Sequence, residues 1–255
     1  MTKTKTLGFA GKGGVGKTSI AALFLKYLIE KLPNKRLLVI DSDPNECMPQ
    51  AIGAKGYRRL SDVVARHKGS SVNLEQFNQE FATLLLESEQ TGYDFLVMGR
   101  GEGEGCYCLI NNFLKNVYER NIKLARDPYD YILMDCEAGL EHIARRTSAG
   151  IDDLIIVTDS SKMGIDTISN IKSVSIEARS GVKNFYVIAN KTSEALAGKI
   201  KEKAEKLGMH YLGSIPYDPL LEQFNAEGKS LLELPQDSIA YKKIGEIVKQ
   251  VIQTK

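Results

Sequence analysis

The stretch Gly11-Lys12-Gly13-Gly14-Val15-Gly16-Lys17-Thr18 constrains the fold more than any other part of the chain. A short apolar run, Leu7 to Ala10, leads into it, and an apolar-periodic run, Ser19 to Leu32, leads out. The order is strand, glycine-rich loop, helix, with Gly-x-x-x-x-Gly-Lys-Thr at the junction. A phosphate-cradling loop requires this context. The glycines permit a tight turn and let successive backbone N–H groups converge on an anion at a helix N-terminus. The expected phosphate contacts run through Gly13, Gly14, Val15, Gly16, Lys17, Thr18 and Ser19, with Lys17 on the outer phosphates and the Thr18 hydroxyl on Mg²⁺.

With 255 residues, 43% of them hydrophobic and 26% charged, the chain has ordinary globular composition and enough length for a large core. An α/β fold spanning residues 1–255 as one domain is expected, with a mostly parallel twisted sheet of about seven or eight strands and helices on both faces. A net charge of +2 implies no general attraction to nucleic acid. No apolar run approaches the roughly 20 residues that span a bilayer. The N-terminal residues run into the first strand without a signal-like segment, so a cytoplasmic protein with no membrane or nucleic-acid partner is expected. Its four cysteines then read as metal-binding, reactive or buried, not as disulfides.

Downstream, strands and helices alternate. Leu37 to Ile40 is a continuous apolar run ending in Asp41-Ser42-Asp43-Pro44-Asn45, at the strand end where open α/β sheets place ligands. Those residues suit a turn as well as a site, and Pro44 disfavours helix at Asp43. Cys47 reads as a small buried residue starting the next helix, with a third sulfur ligand as the alternative. Residues 57 to 90 read as helical, and Arg58, Arg59, Arg66, His67 and Lys68 as a solvated basic face. Tyr93 to Met98 is a strand, followed by alternating glycines, Cys106-Tyr107-Cys108 and a helix over 109–126. Cys-x-Cys is half of a tetrahedral metal site, which a two-fold dimer would complete; two buried loop thiols are the alternative. The next strand, from Tyr129, ends at Asp135, which suits a Walker B acid holding Mg²⁺ through water, and Gly139 suits a backbone contact to the γ-phosphate. Cys136 reads as core and His142 as structural. Asp153 to Thr158 and Phe185 to Asn190 are strands, and Ile165 to Ala178 is a helix. Ser193 stands where a guanine-reading aspartate would follow Asn190-Lys191, which favours adenine, with Asn190 a candidate for hydrogen bonding the base. Ile239 to Ile252 is amphipathic and reads as a helix packed on the sheet, not on a membrane.

With Lys12 ahead of Gly-Gly-Val-Gly-Lys-Thr, the loop resembles the deviant P-loop of the MinD, ArsA and nitrogenase iron-protein superfamily. The resemblance implies a homodimer in which Lys12 reaches the partner's nucleotide and neutralises transition-state charge. It also implies that Asp43 positions the attacking water, that Asp41 supports Mg²⁺, and that Pro216 and Tyr217 line the adenine pocket. Asp-x-Asp-Pro-x-x-Cys, Cys-Tyr-Cys and Asp-x-x-Ala-Gly-x-Glu-His together resemble CooC-type ATPases, the nickel-insertion accessory proteins of carbon monoxide dehydrogenase. Ser160-Ser161 departs from the proline many relatives carry there. The resemblance implies that Cys106 and Cys108 of two protomers bind one Ni²⁺ or Zn²⁺ and that nucleotide drives dimer closure. The client is then apo carbon monoxide dehydrogenase. A nickel-inserting ATPase for acetyl-CoA synthase, a [4Fe–4S] reductase resembling nitrogenase iron protein, and a MinD/ParA-like positioning switch are the alternatives.

Overall fold

The computed structural model describes residues 4–66, 80, 84–85, 92–100, 128–136, 150–177 and 181–253. Seven strands form one sheet: β1 (Lys5–Ala10), β2 (Leu37–Asp41), β3 (Asp94–Val97), β4 (Tyr131–Asp135), β5 (Asp153–Thr158), β6 (Asn184–Asn190) and β7 (His210–Ile215). Their spatial order is β3-β2-β4-β1-β5-β6-β7, and every pairing is parallel. The described helices are α1 (Lys17–Lys31), α2 (Cys47–Ile52), α3 (Leu60–Arg66), α4 (Lys162–Glu177), α5 (Glu194–Lys206), α6 (Pro219–Glu227) and α7 (Ile239–Gln253), with a 3₁₀ turn at Leu231–Glu233.

Continuous apolar strands are buried on both faces because successive side chains point to opposite sides. Leu7, Phe9, Val39, Leu133, Ile155 and Ile188 enter one core layer with α1, α2 and α7. Ala10, Leu38, Ile40, Ile132, Ile156 and Val187 enter the other with α3, α4 and α5. Helix α1 is buried nearly all round, from Ile20 through Leu28. Its Phe24 meets Phe9 edge-on, with ring centroids 5.0 Å apart. Helix α7 lays Ala240, Tyr241, Ile244, Ile247, Val248 and Val251 on the same layer, as its amphipathic pattern predicts. No helix among the described residues is long and apolar enough to cross a membrane.

β1 lies between β4 and β5, so the chain winds outward from it in both directions, and the carboxyl end of β1 is a topological switch point. Two boundaries differ from the sequence pattern. Helix α4 begins at Lys162, three residues before the predicted Ile165, because Ser161 Oγ accepts from Gly164 N at 3.0 Å and opens the helix there. The predicted helix from residue 57 begins only at Leu60, because Arg59 is held in a parallel bridge with Val97 at the end of β3. Arg59 therefore does not belong to a solvated helix face. Cys106, Cys108, Gly139, His142, His67 and Lys68, and the helix expected over 109–126, lie outside the described residues.

Candidate functional site

The glycine-rich loop leaves β1 at Gly11 and enters α1 at Lys17. Three of its glycines have positive φ: Gly11 at 152°, Gly14 at 80° and Gly16 at 91°. At Gly11 an added Cβ would stand 2.2 Å from the Val157 carbonyl oxygen of β5. At Gly16 it would stand 2.5 Å from Asn190 Nδ2. These positions demand glycine for both backbone angle and space. Gly16 is the left-handed residue before α1, and no side chain caps the helix. The first amides of α1 are thus free to face an anion, with the positive end of the helix dipole behind them. Lys17 is buried along its stem, and its Nζ lies 3.4 Å from the Lys12 carbonyl oxygen, so the ammonium curls back over the loop. Lys12 itself is half-buried.

Three carboxylates converge opposite the loop. Thr18 Oγ1 donates to Asp135 Oδ2 at 2.6 Å, joining the start of α1 to the end of β4. Asp135 Oδ1 is buried and has no hydrogen-bond partner. Burial pushes the Asp135 carboxyl up to about 6 and the neighbouring Asp43 pushes the same way, while the Thr18 hydrogen bond and Lys17 pull it down. Burial pushes Asp41 further, to about 8, with the Asp135 charge adding to it. Asp43 lies at the cleft wall; its Oδ1 accepts from Asn45 N at 2.9 Å and Asn45 Nδ2 at 2.8 Å.

Asp41 does something the pattern did not suggest. Its Oδ1 accepts from Asp43 N at 3.0 Å and its Oδ2 from Met48 N at 3.1 Å. Each oxygen accepts from one backbone amide, so Asp41 also shapes the acidic loop and the start of α2. Cys47 is exposed and lines the cleft, correcting the expectation of burial. The reason is helical phase: Met48, Pro49 and Ile52 take the core face of α2, leaving Cys47 on the other. Partial desolvation at the cleft wall and the nearby Asp43 charge push its thiol up, which disfavours a thiolate. Cys136 is buried as expected, its thiol pushed up to about 12 by burial.

The cleft holds about 460 Å³ and runs from Gly13, Lys17 and Thr18 past Asp43 and Cys47 to Lys191, Glu222, Asn225 and Lys229. Its far wall is α6, which begins at Asp218. Asp218 Oδ1 accepts from Leu220 N and Leu221 N, and its Oδ2 from Ser238 Oγ and Ala240 N. One carboxylate thereby anchors both α6 and α7. Lys191, left-handed at φ 53°, pairs with Glu222 at 3.3 Å. The Ser19 hydroxyl meets Asn225 Oδ1 at 3.5 Å. Sequence reasoning passed over Lys191, Glu222 and Asn225; the signal was Asp218-Pro219, a capping residue followed by proline at the first helical position. Asn190 is buried and donates from Nδ2 to the Val15 carbonyl at 2.8 Å, so its amide braces the phosphate loop. Pro216 is half-buried and Tyr217 is 55% exposed, and neither is among the residues that line the cleft.

The donor set fits a hard divalent cation. Asp135 brings an unpartnered buried oxygen, and Thr18 brings a hydroxyl beside it. Among the described residues, no group of three or more His, Cys, Asp or Glu is arranged to hold a metal ion on its own. A cation held by one carboxylate and one hydroxyl would complete its shell with phosphate and water, as Mg²⁺ commonly does.

Comparison with known proteins agrees with this geometry. The model of the CobQ/CobB/MinD/ParA nucleotide-binding domain matches residues 9–231. An uncharacterised ATP-binding protein of Methanocaldococcus jannaschii is 34% identical, over 98% of this chain and 99% of its own length. The carbon monoxide dehydrogenase accessory protein CooC of Rhodospirillum rubrum is 25% identical, over 89% of each chain. Among solved structures, the ATP complex of a McdA variant from Cyanothece superposes with a TM-score of 0.71 at 20% identity, covering 100% of this chain and 98% of that one. With the family model spanning the phosphate loop, the acidic loop and the far wall, the chain belongs to the CobQ/CobB/MinD/ParA nucleotide-binding family of P-loop proteins.

Proposed function

We propose that this chain is an Mg²⁺-dependent ATP hydrolase that works as a dimerising metallochaperone of the CooC type. The observation that carries the hydrolase reading is the meeting of Thr18 and Asp135 at 2.6 Å beside Lys17, across one cleft from Asp43. The loop amides from Gly13 to Ser19 hold the phosphate chain, and Lys17 neutralises its outer oxygens. Thr18 and Asp135 would hold Mg²⁺, whose chemistry is to neutralise charge on the β- and γ-oxygens. Asp43 orients the attacking water and accepts its proton. Asp41 acts behind it, holding the Asp43 amide. The nucleoside lies toward Lys191, Glu222 and Asn225, and the Asn190 brace keeps the loop in register.

Lys12 reaches the nucleotide of a second protomer, so turnover requires the homodimer. The similarity to the Rhodospirillum rubrum accessory protein supports the finer reading. Cys106 and Cys108 from each protomer take one Ni²⁺ or Zn²⁺ as cargo for apo carbon monoxide dehydrogenase or acetyl-CoA synthase. The test is phosphate release combined with elemental analysis of anaerobically purified protein, with and without ATP. Phosphate release and about one Ni or Zn per dimer, lost in the Cys106→Ala/Cys108→Ala variant, is the expected result. Iron and sulfide in place of Ni or Zn would overturn the cargo reading, and failure to release phosphate would overturn the hydrolase reading.

A further inference from the structure

The acidic loop and the exit of β3 are joined by an ion pair that the cleft chemistry does not use. Glu46 follows the Asp43 loop and precedes α2. It is a non-glycine residue at φ 51°, and its side chain makes no cap to the helix it precedes. Instead the carboxylate accepts from Arg59 Nε at 2.6 Å and from Tyr57 OH at 3.1 Å. The Arg59 guanidinium also lies over the Tyr57 ring, 5.5 Å from its centroid. Glu46 N in turn donates to the Asp43 carbonyl at 3.0 Å. A displacement of Asp43 is therefore a displacement of Glu46.

Arg59 is fixed on its other side to the end of β3. Its backbone bridges Val97, and Ser61 N donates to the Met98 carbonyl at 2.9 Å. Met98 N donates to the Asp41 carbonyl at 2.8 Å. Gly99, at φ 74°, packs so closely that an added Cβ would stand 2.4 Å from Ser61 Oγ and 2.8 Å from Arg59 Cβ. The segment 57–61 is thus wedged between the acidic loop and residues 97–99, with no slack on either side. The Arg59 side chain is 42% exposed, so the pair contributes little to stability by itself and its value is positional.

We propose that the Glu46–Arg59 pair couples occupancy of the phosphate cleft to the exit of β3 at Met98–Gly99, the point from which the chain proceeds toward Cys106 and Cys108. This rests on the nucleotide-binding reading above. Arg59 is a positioning residue: it is not among the residues that line the cleft, and it acts through Glu46. Two elements share the constraint, so a ligand that favours one position of Asp43 biases Gly99 with it, and the bias is reciprocal.

The experiment is hydrogen exchange at the Met98, Gly99 and Arg100 amides of the full chain, without nucleotide and with Mg²⁺ plus a non-hydrolysable ATP analogue. Nucleotide affinity is measured in parallel by titration. In the wild type, exchange at these amides changes about two- to thirty-fold on binding, the span that a modest coupling energy allows. In Arg59→Ala that change falls at Gly99 and Arg100, with only the part carried by the direct Met98 N–Asp41 backbone bond remaining, while nucleotide still binds. The double exchange Glu46→Arg with Arg59→Glu restores it, which a loss of local packing would not. An unchanged response in Arg59→Ala, or a wild type that binds nucleotide with no response at 98–100, overturns the inference. A wild type that binds no nucleotide overturns the reading beneath it, and is told apart by the titration.

Discussion

The phosphate loop and the acidic loop face each other across one cleft, yet they are built on opposite principles. The first is specified by backbone: three positive-φ glycines, a helix without a side-chain cap, and a brace from Asn190 to a carbonyl oxygen. The second is specified by side chains: Asp41 on two amides, Asp43 on Asn45, Glu46 on Arg59. A backbone cradle is nearly indifferent to protonation. A loop held by carboxylates, with Asp41 raised by burial and Asp135 at the neighbouring strand end raised likewise, is not. The difference separates a permanent binding surface from an adjustable one.

Substitutions that remove charge from each side give the largest expected effects. Lys17→Ala strips the cradle of its cation and should lower kcat/KM for ATP by about 10³-fold, with weaker binding in the same titration. Asp43→Ala should leave nucleotide affinity intact while kcat falls by about 10²-fold. If the two variants show the same split between affinity and rate, the contrast between the loops collapses. Next in size is Gly16→Ala, which places a side chain at φ 91° and against Asn190 Nδ2. It should cost at least about 1–2 kcal/mol in denaturant unfolding, and Asn190→Ala about 1 kcal/mol.

The smallest effect sharpens the comparison through pH. Asp41 and Asp135 have folded-state values of about 8 and about 6, above an unfolded value near 3.8. Between those values the folded chain binds more protons than the unfolded one, so its stability falls with rising pH. The nucleotide-free protein should lose stability progressively from about pH 4 to about pH 8 in chelator, by denaturant midpoints. Asp41→Asn should remove the upper part of that slope. A flat profile in the wild type would show that the two acids are not held as the structure places them.

The phosphate loop was legible because its motif is local: strand, glycines, lysine and helix follow one another within two dozen residues or so, although the Asn190 brace on it is not. Six of the seven strands were legible for a similar reason, as short apolar runs; β7 (His210–Ile215), interrupted by Gly213 and Ser214, carries no such run. The acidic loop was legible only in composition. That Asp41 serves amides depends on where Met48 falls after the turn, and that Cys47 is exposed depends on the phase of a six-residue helix. Neither is written in spacing. Arg59 looked like one of several basic residues on a helix because its partner, Glu46, comes from a different turn and its bridge, Val97, from a different strand. Likewise Lys191, Glu222 and Asn225, which line the far side of the cleft beyond the expected Asn190, Pro216 and Tyr217, come from two separate segments of the chain.

The brace on the phosphate loop also sets a schedule. Val15 and Asn190 are separated by 175 residues, and the strands flanking β1 arrive from the middle of the chain. During synthesis the glycine loop emerges 175 residues ahead of the amide that braces it. At ~5–20 residues per second the gap is roughly 9 to 35 s. Through that interval the nascent chain displays the motif without the cradle. The braced form of the loop is therefore available only once Asn190 has emerged and paired with the Val15 carbonyl.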